Sequence, residues 1–261
     1  MKLSLLDIVQ DILSDMDSDE VNSVDDTVES TQVAQIVKST YFAMISNRNW
    51  PHTRQTVQLS ASGTTAQPTH MTIDEEVKEL CFINYNKVRA GSTRKMYQPV
   101  KYLYPDDFLR VINNRNNDSD TVDVITDLTG VELLIVNNTA PTYYTSFDDE
   151  NIVFDSYDIE VDSTLQQSKV QAQAYVIPAW SGLDDFIPDL PAEAFTALLE
   201  EAKSRCMFKL KQVRDVKAEQ EAGRQQRYLA RQARTVNGGI RYPNYGRKPG
   251  RVRDATFRQE S

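Results

Sequence analysis

Residues 191–261 read PAEAFTALLEEAKSRCMFKLKQVRDVKAEQEAGRQQRYLARQARTVNGGIRYPNYGRKPGRVRDATFRQES, and the change of texture along this stretch decides how the chain is organised. Phe195, Leu198, Leu199, Ala202, Cys206, Leu210 and Val213 recur at helical spacing, so the first part is an amphipathic helix with a face to bury. Asp189 is placed to cap it, and Pro191 suits its first turn. From Arg214 to Thr235 the large apolar residues are only Val216, Tyr228 and Leu229. Ala, Gln, Glu, Arg and Lys dominate there, which predicts a long helix without a core of its own, projecting past the rest of the fold. Gly238-Gly239 ends it. Residues 236–261 have no periodicity and are expected to be an extended arm, ordered by docking on a partner.

The helix over 191–213 needs something to pack against, and the first fifty residues supply it. Leu5, Leu6, Ile8, Val9, Ile12, Leu13 and Met16 form one helical face, interrupted by Asp7, Gln10 and Asp11, a pattern unlike a signal peptide. An acidic run, DMDSDEVNSVDDTVE, follows. Ser23 with Asp26 resembles a capping box for a second helix that runs to about Asn47. Val33, Ile36, Val37, Thr40, Tyr41, Met44 and Ile45 are its stripe, and Trp50-Pro51 stops it.

Between these helical ends the period changes to that of strands. TVQLS, ELCFINYNKV, MYQPVKYLY, VELLIV, TYYTSF, NIVFDSY and VQAQAYVIP are β-favouring runs separated by turn residues. Pro105-Asp106-Asp107-Phe108-Leu109 opens a short helix, with Pro and acids in its first turn. The expected fold class is α+β: a helical bundle with an inserted antiparallel β-sandwich or small barrel, a long C-terminal helix and an extended C-terminal arm. The expected division is 1–53 with 188–235 as the helical unit, 54–187 as the inserted β unit, and 236–261 as the docking arm.

Charge separates along the same lines. Residues 1–190 carry 13 basic and 30 acidic groups, net −17, whereas residues 222–261 carry 10 basic and 2 acidic groups, net +8. An acidic body with one cationic end predicts self-complementary assembly or an acidic partner. Arg241, Tyr242, Tyr245, Arg247, Lys248, Arg251, Arg253, Phe257 and Arg258 are the candidate docking residues of the arm. Arg224, Arg227, Tyr228, Arg231 and Arg234 are the candidates on the helix before it. Arg interleaved with Tyr suits a protein groove, where both are frequent anchors. The same mixture suits nucleic acid, through phosphate contacts and base stacking, and that is the alternative reading.

Catalytic and metal motifs are weak. Asp15-x-Asp17-x-Asp19 begins like a calcium loop, but Glu20 stands where glycine is required and Asp26 where glutamate is. His52 and His70 fall in no metal spacing, and Cys81 and Cys206 form no CxxC pair. Asp106-Asp107, Asp148-Asp149 and Asp184-Asp185 are adjacent acids with nothing to orient them as an acid/base couple. No P-loop, GxGxxG or GxSxG occurs, and no apolar run is long enough to span a membrane. The expectation is a protein that is not an enzyme and carries no cofactor.

The order of parts, with VAQIVKSTYFAMISNRNWP (33–51) and VKYLYPDDFLRVIN (100–113) as its most specific segments, resembles the head-to-tail adaptor of short-tailed bacteriophages, also called tail tubular protein A. The resemblance implies a virion protein of the tail, assembled in the host cytoplasm. It implies a ring of twelve copies between the portal protein and a nozzle of the tail tubular protein B kind, with viral DNA passing through its channel. The β unit would face the nozzle and the tail fibres, and the arm would lodge between portal subunits.

Overall fold

The structure is a computed structural model that describes residues 2–88, 91–92, 94–148 and 150–235, with backbone only for 231–235. In chain order the elements are α1 (Leu5–Asp15), α2 (Val28–Ser46), β1 (Arg54–Val57), β2 (Ser60–Ala61), β3 (His70–Thr72), β4 (Val77–Asn86), β5 (Tyr97–Tyr102), α3 (Pro105–Asn113), β6 (Val122–Thr126), β7 (Glu132–Val136), β8 (Tyr143–Thr145), β9 (Asn151–Phe154), β10 (Val170–Val176), α4 (Phe195–Lys211) and α5 (Val216–Thr235). The fold is mixed α+β.

Two apolar clusters hold it. The first joins α1, α2 and α4 with Met16, Val21, Val24, Trp50, Leu190 and Leu229. The second lies inside the β region and takes Phe108 and Ile112 from α3. Helix α1 begins where its stripe begins, because Ser4 and Asp7 satisfy each other's backbone N–H at 2.9 and 3.1 Å. Helix α2 starts later than expected. Its capping box is Thr27 with Ser30, whose hydroxyl also donates to Val24 O at 2.7 Å. The Asp26 carboxylate is already occupied: it accepts the N–H groups of Asn22 and Ser23 and closes a turn of the acidic linker.

Helix α4 also departs from expectation at its start. A single 3-10 turn, Ala192–Ala194, precedes it, and Ala194 caps it without a side-chain bond. Asp189 is not the cap; its carbonyl instead receives Tyr41 Oη at 3.4 Å and faces His52 Nε2 at 3.0 Å.

The larger correction concerns the helix after Arg214. Helix α4 stops at Gln212, which adopts the left-handed conformation with φ 57°, and Val213 is half-exposed instead of completing the stripe. Asp215 then caps a new helix by accepting the Ala218 N–H at 3.0 Å. Helix α5 does not project; it folds back along α4 and buries Ala218, Ala222 and Leu229. Small residues at that spacing let two helix backbones approach, so a seam exists where few large apolar side chains do.

The strands form an eight-stranded sheet in the order β1-β10-β4-β5-β8-β9-β3-β2 and a separate two-stranded ribbon, β6-β7. Its outermost strands, β1 and β2, are consecutive in the chain and separated only by Gln58 and Leu59. Two residues span about 7 Å, whereas a flat sheet of this width would hold its edges roughly 30 Å apart. The sheet is therefore curled until its edges nearly meet, with Leu59 buried at the joint. One pair breaks the expected antiparallel pattern: β5 and β8 run parallel. A parallel pair needs a crossover, which here contains α3 and the ribbon. The short strands β3 and β6 stood outside the recognised β-favouring runs.

The two clusters are joined at the C-terminal end of α2. Lys78 of β4 donates to the carbonyls of Ile45, Ser46 and Arg48 at 3.2, 2.8 and 3.1 Å. These are carbonyls at and just past the end of the helix, so an ammonium there meets both unpaired acceptors and the negative end of the dipole. Asn49 donates to Glu79 beside it.

Candidate interaction surface

The returning helix α5 places the cations that the sequence singles out. Between α4 and α5 lies a cleft of about 740 Å³ lined by Glu200, Lys203, Asp215, Glu221, Arg224 and Arg227. Arg224 and Arg227 are thus brought to one groove. Arg224 grips the Glu221 carboxylate at 2.6 Å, and Arg227 Nε donates to Gly223 O at 2.9 Å. Tyr228 is half-exposed on the same helix. The side chains of Arg231 and Arg234 lie outside the described residues, as do all nine docking residues from Arg241 to Arg258.

The electrostatics of the groove are mixed. Arg214 holds Glu219 through three contacts of 2.7–3.0 Å, and its side-chain bonds keep that carboxyl below the usual range. Gln225 and then Arg224 do the same for Glu221. Burial raises Glu200 despite Lys203 nearby. Lys203 pairs with Asp15 and Lys211 with Glu29, so α4 is tied to both ends of the acidic linker. Lys203, Lys211, Arg214 and Arg224 are each paired with an acid, whereas Arg227 bonds a backbone carbonyl, so the surface carries both signs instead of a uniform cationic stripe for tracking phosphates.

Among the remaining chemical candidates, Asp184 and Asp148 are bonded within the fold. Asp184 Oδ1 accepts the Val24 N–H at 2.8 Å and brackets the linker. Asp148 closes a turn by accepting the Glu150 and Asn151 N–H groups, while Asp149 lies outside the described residues. Asp106 and Asp107 stand exposed in the first turn of α3. Burial lifts the Cys206 thiol to about 12, which removes it as a nucleophile at neutral pH. Among the described residues no cluster of His, Cys, Asp or Glu could hold a metal ion, and no helix is long and apolar enough to cross a membrane.

Two features were not legible in the sequence. The first is a buried pair, His70 Nε2 to Asp127 Oδ1 at 2.8 Å, with side chains 2% and 4% exposed. It fastens the turn of the β6-β7 ribbon to β3. Burial pushes the Asp127 carboxyl up, but Thr129 and His70 hydrogen bonds outweigh it and hold the group below its ordinary value. Partners so far apart in sequence leave no spacing signal.

The second is an aromatic surface at the end of the curled sheet nearest the helices. Tyr102 and Tyr104 meet edge to face at 5.5 Å, and Tyr102 meets Tyr144 in the same way. Tyr144 is buried, but Tyr102 is 48% and Tyr104 71% exposed. Asp106 and Asp107 follow directly. At the opposite end of the sheet a cleft of about 720 Å³ is lined by polar side chains that include Asn86, Gln98, Asp158 and Lys169. No protein-family model and no curated protein matches this chain.

Proposed function

We propose that the chain is a structural adaptor of the head-to-tail kind found in short-tailed bacteriophages, acting by assembly and not by chemistry. In this reading the helical layer is a bundle, the curled sheet is a small barrel inserted between α2 and α4, and residues 236–261 are a docking arm. Copies form a ring between portal and nozzle, the genome passes through its channel, and the β unit faces the nozzle and fibres.

The observation that carries the reading is the separation of charge on this fold. Both chain ends of the acidic body close into one helical cluster, and α5 then leads into a basic, Tyr- and Arg-containing segment. A net negative body resists adhesion to passing DNA, while the composition of the cationic segment suits a protein partner.

The test is electron microscopy of particles that contain the chain. A symmetric ring with a central hole, joining capsid vertex to tail, is the expected image. Particles that keep their tails when the chain is deleted would remove the adaptor role.

A further inference from the structure

We propose that two copies of this chain pair through the outer edge of β6, strand against antiparallel strand, with the two-fold axis at Val124. The pairing concerns the protein in solution; it goes beyond the adaptor reading and does not rest on it.

The edge is open. In the ribbon Val122 stands opposite Val136, Val124 opposite Leu134 and Thr126 opposite Glu132, without a shift of register. Asn137 N–H donates to Thr121 O at 3.0 Å and Asp127 N–H to Val131 O at 2.8 Å. Antiparallel ladders bond at alternate residues, so Thr121, Asp123, Ile125 and Asp127 turn their backbone groups toward β7, and Val122, Val124 and Thr126 turn theirs outward. Ser119 O takes the Val122 N–H at 3.0 Å. The Val122 carbonyl, and both backbone groups of Val124 and Thr126, have no partner among the described residues. The strand carries no Pro, Lys or bulge, the usual devices that blunt an edge. Val124 is 50% exposed.

Self-complementarity selects a second copy as the occupant, and charge selects the register. The antiparallel registers that keep β6 mostly paired with itself are centred on Asp123, Val124 or Ile125. The first sets Asp123 against Asp123, and the last sets Asp123 against Asp127. Centred on Val124, Asp123 faces Ile125 and Asp127 faces Thr121, so no acid opposes an acid. Asp123 is already answered inside its own copy by Tyr157 Oη and Asn137 Nδ2. In this register Val124 N–H meets the Val124 carbonyl of the second copy, and Thr126 N–H meets its Val122 carbonyl, each bond made twice by the symmetry. The Val122 N–H, which Ser119 holds, is not called on. The outer face agrees: Leu134 and Val124 of one copy continue into Val124 and Leu134 of the other, an apolar row covering side chains that a single copy leaves in water.

Sedimentation equilibrium of the full chain tests the proposal. One strand pair buries less than about 1,200 Å², the range of weak association, so dimers should form reversibly between about 10 μM and about 1 mM. Residues 114–136 hold Asp118, Asp120, Asp123, Asp127 and Glu132 against Arg115 alone, so added salt should strengthen the dimer by screening one ribbon from the other. Val124→Pro removes the central donor without touching the ladder to β7 and should weaken dimerisation at least about tenfold. Val124→Cys should cross-link to itself under mild oxidation, its Cα lying about 5.5 Å from that of its copy, whereas Thr126→Cys, about 14 Å from its copy, should not. The parent chain, with Cys81 and Cys206, supplies the baseline. If circular dichroism shows the proline variant unfolded, the cysteine pair decides. Absence of self-association up to about 1 mM would overturn the proposal. So would a dimer that folded Val124→Pro leaves intact, or cross-linking at 126 as strong as at 124. A dimer that salt weakens would place the contact between the basic end and the acidic body, and would overturn it too.

Discussion

Replacing Lys78 by Met should loosen the joint between the two apolar clusters. The substitution keeps the aliphatic stem and removes the ammonium. Three carbonyls at the end of α2 then lose their donor. A hydrogen bond from a charged donor contributes about 1.5–3 kcal/mol when well made, but only the 2.8 Å contact to Ser46 is close to optimal and the site is half-open to water. A cation at a helix C-terminus adds about 0.3–1 kcal/mol. With water replacing part of what is removed, the expected cost is about 2 kcal/mol, or a fall in Tm of roughly 4–8 °C for a protein of this size. Urea unfolding gives the free energy, and hydrogen exchange locates it: amides near the end of α2 and the start of β4 should exchange faster, while those of α1 should not. A loss below about 0.5 kcal/mol would mean that water serves these carbonyls as well as Lys78 does, and the clasp would have no energetic role.

Gly223→Ala should stabilise α5 by up to about 1 kcal/mol in chemical denaturation, since a Cβ there would meet only the far end of Arg227, at 4.0 Å. Gln212→Gly should relieve a left-handed residue at the end of α4 and raise stability by about 0.5–1 kcal/mol, net of the added freedom of the unfolded chain. His70→Leu should cost about 1–3 kcal/mol in the same assay, because it leaves the buried Asp127 carboxylate without one of its hydrogen-bond donors. The folded Asp127 lies below its ordinary 3.8, so its contribution is complete above that value and is lost as pH falls through the folded one. Unfolding free energies below about pH 4 should therefore fall less steeply with acid in Asp127→Asn than in the parent protein.

Much of the helical layer was legible from periodicity. The stripes of α1 and α2 became buried faces, and Phe195, Leu198, Ala202 and Cys206 did so in α4. Helix starts were less legible, because Ser23, Thr27 and Asp189 are all chemically able to cap and only the surrounding turns choose between them. The path after Val213 carries no stripe of large apolar side chains, because its seam is made of alanines. Ala218 and Ala222 bury little surface each, yet they permit the close approach that turns α5 back. Of the cations proposed on that helix, Arg224 and Arg227 share a groove; their bonded partners, Glu221 and the Gly223 carbonyl, lie on α5 itself, whereas Glu200 and Lys203 are brought to the groove by the pairing of α4 with α5.

The sequence by itself determined the α+β class, the division of charge into an acidic body and a basic end, and the faces that the helices bury. Those are properties of period and composition, which a local window carries. The tertiary structure alone decided the curl of the sheet, the parallel pair β5-β8, the His70–Asp127 fastening and the Lys78 clasp. Each of these joins groups distant along the chain, and their pairing depends on which surfaces meet after the apolar faces have closed.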